Sequence, residues 1–366
     1  MNFLVHWHGL DDAGSDIDQA LSLLQGWSAP AAIWEHHLLG ARCRDYSPDQ
    51  LDHRFLNGQL AWFRPQSVPE QTSTIVSATP LAIVPRGSIP QWLQRPPDTE
   101  VIQDSQARKV LALLKEHGAM FTFDLEQESG LLRPQLEQSL KVLIAAGAIS
   151  SDAFSPVRWL LRPEAQKLRL SRKAKRHAPS LPVGRWSITG TGFNKHQADG
   201  PANSGQQRLA VICQSLLRRY GVVFRAVIQR ETLLPPWREL LNYLRRMEDR
   251  GEVRGGRFVD GFSGEQFALP EALGLLRQPN DAGGQPTFTV ISACDPLNLG
   301  GLITPGVKTP SVSSNKILLE NGLPVARIIG EELQEFANIS SAASHEARRQ
   351  LVVVRHWAGS GITYRN

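Results

Sequence analysis

The sequence predicts an α+β chain: two copies of a three-helix unit closed by a two-stranded ribbon, followed by a small β-rich module. Two observations carry this. A pattern of three apolar-faced helices and a ribbon appears from Arg108 to Leu161 and recurs about one hundred residues later. The glycines that stop the first and third helices, Gly118 and Gly147 in one copy and Gly221 and Gly251 in the other, lie about thirty residues apart in both. Three helices followed by a β-ribbon is the winged-helix layout, a relative of helix-turn-helix, so the fold class is tandem winged-helix (helix-turn-helix plus β-wing) units with a small C-terminal β-rich module.

Composition narrows the class. At 366 residues with 41% hydrophobic content, the chain can fill several cores. No run approaches the roughly 18–20 apolar residues that span a bilayer, and the start lacks a basic stretch with a cleavage site, so no membrane association and a cytoplasmic location are expected. Cys43, Cys213 and Cys294 are odd in number and show no CxxC spacing, which fits a reducing compartment and argues against disulfides or structural zinc. The net charge is +5, a weak pointer to nucleic acid until its location is known.

In chain order, residues 1–98 form an N-terminal helical/β module. Helices are expected over Asp16–Leu24, Pro30–Leu39 and Pro48–Phe55, then strands at Gln59–Phe63 and Thr79–Val84, with Gln91–Pro97 as a connection. Residues 99–165 form the first winged helix, with Ile149–Leu161 as its two ribbon strands. A basic flexible linker, 166–206, follows. Residues 207–278 form the second winged helix: helices at Leu209–Tyr220, Phe224–Gln229 and from Pro235–Pro236 to Gly251, with the ribbon at Val253–Ala268. In the β-rich module, 279–366, strands are expected at Thr287–Ile291, Lys316–Leu319, Leu323–Ile328 and Leu351–His356, and a helix at Gly330–Ala337.

From Arg208 to Arg257 there are eleven Arg, no Lys and five acidic residues. On the third helix, Leu240, Leu241, Leu244 and Met247 share one face, which leaves Arg238, Asn242, Arg245 and Arg246 pointing away. In helix-turn-helix readers such a face enters the major groove, where Arg forks onto guanine or phosphate and Asn pairs with adenine. Arg254 and Arg257 fall where a wing meets the backbone, and Arg225 precedes them on the second helix. The alternative is a solvated face whose arginines pair with Glu239, Glu248 or Asp249. In the linker, Arg172, Lys173, Lys175 and Arg176, with Lys167 and Arg169, offer a sequence-independent phosphate clamp or merely a soluble tether.

No motor signature is present. Gly190-Thr191-Gly192-Phe193-Asn194-Lys195 lacks the GxxxxGK[ST] spacing. His6 and His8 would share one side of a strand and His36–His37 are adjacent, but neither pair has a third ligand nearby, so no metal and no cofactor are expected.

Several strings point to one family. They are Arg218-Arg219-Tyr220-Gly221-Val222-Val223-Phe224-Arg225, Met247-Glu248-Asp249-Arg250-Gly251-Glu252-Val253-Arg254-Gly255-Gly256-Arg257-Phe258-Val259, Gly264-Glu265-Gln266-Phe267-Ala268-Leu269-Pro270 and Asp295-Pro296-Leu297-Asn298. Phe3-Leu4-Val5-His6-Trp7 and Ala145-Ala146-Gly147-Ala148-Ile149-Ser150-Ser151-Asp152-Ala153-Phe154 support them. Together they resemble the C-terminal region of bacterial large helicase-related (Lhr) proteins. The resemblance implies a region that follows an ATPase core, built of winged helices and a β-rich module and similar in architecture to bacterial alkylpurine DNA glycosylases. It also implies DNA as partner (duplex or forked), uracil-DNA glycosylase activity and self-association into a homo-oligomer.

Base release passes through a sugar cation, so a carboxylate or amide must orient water beside a flipped-out base. The similar glycosylases carry a Gln-x-Gln motif. Here Gln25-Gly26-Trp27 matches its first glutamine, while Trp27 replaces the second. The candidates are therefore Gln25, Glu35, Asp260 and Asp295, with Glu265 beside them; Asp260 before Gly261 and Asp295 before Pro296 also fit as turn residues. The leading reading is a DNA repair glycosylase of uracil type. The alternatives are a non-catalytic DNA-binding and oligomerisation platform for a helicase motor, and a transcription regulator.

Overall fold

The computed structural model describes residues 1–11, 14–65, 74–93, 99–100, 102–167, 184–190, 201–277, 286–304, 306–336 and 339–353. They form two compact units. One comprises Gln25–Ile33 and Tyr46–Ile212; the other comprises Met1–Leu24, Trp34–Asp45 and Cys213–Asn366.

The first of these opens with β1 (Ala29–Pro30), β2 (Leu60–Phe63) and β3 (Pro80–Pro85), an antiparallel sheet in the order β1-β3-β2. Every residue of β2 is buried, as are Leu81–Val84 of β3. The helix Pro48–Leu56 contributes Phe55, which stacks on Phe154 at 6.0 Å. Ser105–His117 starts at Asp104, whose carboxylate accepts a hydrogen bond from the amide of Ala107 at 2.6 Å. It buries Ala107, Val110, Leu111 and Leu114 at helical spacing, and each large apolar side chain so covered contributes about 1.5–3 kcal/mol. After β4 (Met120–Phe121), the helices Thr122–Ser129 and Arg133–Ala145 follow, then β5 (Ile149–Ser151).

The ribbon departs from expectation. Only Ile149–Ser151 is a strand; Ser155–Leu160 is a helix with Pro156 in its first turn. Asp52 caps that helix, accepting from the amides of Phe154 and Ser155 at 3.1 Å each and from Arg158 at 3.0 Å. The partner strand is β6 (Arg185–Ile188), which lies inside the expected linker and pairs with both β4 and β5 to give the order β4-β6-β5. Lys167, read as linker, is buried and bonded to Glu137 at 2.8 Å and Glu164 at 2.9 Å. The helix Pro201–Tyr220 also starts inside the expected linker, with proline supplying its first residue.

In the other unit, residues 2–7 form a helix rather than a strand, so His6 and His8 do not share a strand face. Ile17–Leu23 is helical, and Trp34–Leu39 is a π-helix, whereas the sequence suggested one α-helix from Pro30. Beyond Tyr220 come β7 (Val222–Val223), a 3₁₀ turn at Val227–Arg230, the helix Trp237–Asp249, β8 (Arg254–Gly256) and β9 (Gln266–Ala268). This sheet has the order β7-β9-β8. The glycines Gly118, Gly147, Gly221 and Gly251 that marked the repeat all have positive φ, as helix-ending turns require.

A meander follows: β10 (Phe288–Ser292), β11 (Lys316–Glu320), β12 (Leu323–Ile329) and β13 (Glu332–Glu335). Strand β13 replaces the helix expected over Gly330–Ala337, because pairing with Ala326–Ile329 outweighs the helical propensity of Glu, Leu and Gln. Leu318, Ala326 and Ile328 pack against Ala347 of the helix Ser341–Ala347 and Leu351 of a π-helix, Arg348–Val353, where a strand from Leu351 was expected.

All three small sheets share one order, first-third-second. The N-terminal module therefore repeats the succession of the other two: a helix at Ile17–Leu23, the short β1, helical segments at Trp34–Leu39 and Pro48–Leu56, then the β2–β3 ribbon.

Candidate nucleic-acid interface

The helix Trp237–Asp249 is held by Leu240, Leu244 and Met247, all buried at the i, i+4, i+7 spacing of one helical stripe. At about 100° per residue, Arg238, Asn242 and Arg245 fall on the opposite side, and all three are exposed, as is Arg246. Arg246 and Arg250 both lie over the ring of Tyr243, at 5.3 and 5.7 Å from its centroid. Arg225, Arg254 and Arg257 are exposed as well.

The wing is tied to this helix. Arg245 grips Glu265 through two bonds of 2.9 and 2.7 Å, and that bonding holds the Glu265 carboxyl below its ordinary range. Glu248 accepts from the amide of Gly255 at 3.1 Å. Gln266 is fully buried; it accepts from the amides of Phe258 and Val259 at 2.8 Å each and donates to the carbonyl of Val259 at 2.9 Å. Phe262, after the exposed Asp260–Gly261 turn, packs on Phe224 at 5.0 Å. Charge density alone could not separate the outward arginines from Arg219, which is buried in a pair with Glu231. Tyr243 and Gln266 were likewise not singled out from the sequence. Arg169, Arg172, Lys173, Lys175 and Arg176 lie outside the described residues.

The four catalytic candidates separate by exposure. Asp295 is fully buried, and Arg42 donates to both its oxygens at 2.8 and 3.0 Å. Burial alone would push this carboxyl up, but the Arg42 guanidinium outweighs it and holds it below the ordinary range. Asp295 is thus a fully buried ion-pair partner of Arg42. His8 completes the cluster. Its Nδ1 accepts from Arg42 at 2.8 Å and its Nε2–H donates to the carbonyl of Arg219 at 2.7 Å; burial and the Arg42 charge push the imidazole down to about 3.

Gln25 and Glu35 are also buried. Gln25 adjoins Gly26, which has φ +75° and lies under Trp92, where a Cβ would come within 2.4 Å of the indole; this is a packing constraint on the Gln-Gly-Trp turn. Trp27 is buried too. Asp260 is the one exposed member of the four, on the wing.

Among the described residues no group of three or more His, Cys, Asp or Glu could hold a metal ion, and no helix is long and apolar enough to cross a membrane.

The three-helix-and-wing units define a protein of the winged-helix class. Comparison with known families places it further. Models described as the winged-helix domain of large helicase-related protein match residues 202–287, as the fourth such domain, and residues 1–79, as the third. The chain is 28% identical over 334 residues to a protein named Lhr helicase/uracil glycosylase from Escherichia coli, covering 83% of this chain and 20% of that one. It is 27% identical over 312 residues to one named Lhr helicase/ probable uracil glycosylase from Mycolicibacterium smegmatis, covering 79% and 19%. The chain thus resembles the C-terminal winged-helix region of the large helicase-related proteins in two separate segments, and it spans about one fifth of the length of these relatives. The match over residues 1–79 assigns a winged helix to the segment expected as a helical/β module.

Proposed function

We propose that this region binds DNA through the outward side of Trp237–Asp249 and its wing, and that it hydrolyses the N-glycosidic bond of a flipped-out uracil. The observation that carries the binding half is the set of Arg238, Asn242, Arg245 and Arg246, all exposed on one helix whose other side is core, flanked by Arg254 and Arg257. A third helix enters the major groove in this fold, and wing cations meet phosphates. The glycosylase half rests on the relatives' names and on Asp260, a solvent-exposed carboxylate on the wing. In this reading Asp260 orients a water that adds to the anomeric carbon as its bond to the base breaks; Asp260 accepts the water's proton and passes it to solvent, and the base leaves with its electron pair and takes a proton from solvent.

The test is alkali-labile site formation in a uracil-containing oligonucleotide, without ATP and with or without chelator. Cleavage dependent on uracil supports the reading; none sinks the catalytic half while leaving the binding half to salt titration.

A non-catalytic binding and self-association platform is the second reading. It is favoured by Phe121, Phe123 and Leu132, which are 50%, 55% and 71% exposed. It expects binding without base release, and a multimer on gel filtration that Phe123→Asp dissociates.

A further inference from the structure

A cleft of about 330 Å³ opens where the 3₁₀ turn ending at Arg230 faces the segment Lys308–Ser311. This is at the small end of the range for ligand pockets, enough for one nucleotide and far too little for a duplex. Among the described residues its lining holds two cations, Arg230 and Lys308, and no acidic side chain. Arg230 is fixed from behind, donating to the carbonyls of Asn298 at 2.9 Å and Ala293 at 3.3 Å and to the Ser311 hydroxyl at 2.7 Å. None of those acceptors is a carboxylate; the Asp295 charge is felt by the half-buried guanidinium without a hydrogen bond to it. Three of its five N–H donors are thereby used, leaving two. Lys308 is exposed at the rim, and Arg327 steadies its backbone by donating to the Lys308 carbonyl at 3.3 Å. Leu302 and Pro310 supply apolar wall.

We propose that this cleft binds a single deoxynucleotide, with its phosphate on Arg230 and Lys308 and its base against Leu302 and Pro310. A guanidinium fixed from behind with two N–H donors unused and no carboxylate bonded to it, beside an exposed ammonium, is what a phosphate dianion needs. The nucleotide's source is either a DNA strand end or a free monophosphate, and the shared chemistry is the phosphate ester with its base.

Calorimetric titration of the full chain with dTMP, thymidine and a 5′-phosphorylated single-stranded oligothymidine tests this. dTMP is expected to bind at least about tenfold more tightly than thymidine. Lys308→Glu, at an exposed position that leaves packing intact, should weaken dTMP by about tenfold or more, and Arg238→Ala should leave it unchanged. If the oligonucleotide displaces dTMP in a Lys308-dependent way, the occupant is a strand end; if only dTMP binds so, it is the free nucleotide. Equal binding of dTMP and thymidine, indifference to Lys308→Glu, loss of dTMP binding in Arg238→Ala, or no binding at all would overturn the proposal.

Discussion

Arg42 and Asp295, 253 positions apart, meet in a two-pronged pair with both side chains at 0% exposure. His8 accepts from the same guanidinium, so two residues of the N-terminal module and an aspartate of the C-terminal module share one buried cluster.

Breaking that pair leaves a buried charge without its partner. Arg42→Ala is expected to cost about 3–5 kcal/mol of unfolding free energy, read by urea denaturation at neutral pH. A variant as stable as the parent would show that the cluster is better hydrated than its geometry implies.

The same cluster sets an acid limit. Unfolded His8 takes up a proton as pH falls below 6.5, whereas folded His8 resists until about 3, so stability declines across that window at roughly 1.4 kcal/mol per pH unit. Asp295 adds to the loss lower down: its depressed carboxyl stabilises the fold above 3.8, and that contribution fades as pH drops further. Melting curves between pH 7 and 4 should flatten in His8→Asn.

On the DNA face, Glu265 competes with phosphate for Arg245. Glu265→Gln should therefore tighten duplex binding and steepen its log–log salt dependence by about 0.9, while Arg238→Ala and Arg254→Ala should each make it shallower by a similar amount. Fluorescence anisotropy between low and moderate salt measures this; identical slopes in all four proteins would exclude the helix as the contact.

Gln266 holds the wing loop with three hydrogen bonds from a fully buried position. Gln266→Ala strands two amides and a carbonyl and is expected to cost about 2–3 kcal/mol. Limited proteolysis should then cut first between Arg257 and Gly264.

Asp260→Asn should lower uracil release by about a hundredfold or more and leave duplex affinity unchanged or higher, since it removes a negative charge from the wing. Single-turnover cleavage under saturating protein separates the two effects. Retained cleavage would move catalysis to another group.

The helical core of the repeat was legible because its signals are local. Helix-stopping glycines and i, i+4 apolar spacing act within a turn or two, and Leu240, Leu244 and Met247 were assigned inward correctly. What escaped depends on distant partners. Strand β6 hides in a Lys/Arg/Pro-rich stretch and is a strand only because β4 and β5 flank it. The N-terminal winged helix has a two-residue first strand and a π-helix, neither of which has a sequence period to detect. At the site, outward arginines could be told from the helix pattern, but Arg219 could not be recognised as buried without Glu231, nor Asp295 without Arg42.

In each of the three small sheets the strand that emerges last from the ribosome takes the centre, and the two made earlier do not pair with each other. Until Arg185–Ile188 has been synthesised, Met120–Phe121 and Ile149–Ser151 have no backbone neighbour in their sheet, and their amides and carbonyls stay with water. Each module is thus completed by its final segment, like an arch by its keystone, and a chain truncated just short of one loses the whole sheet rather than an edge.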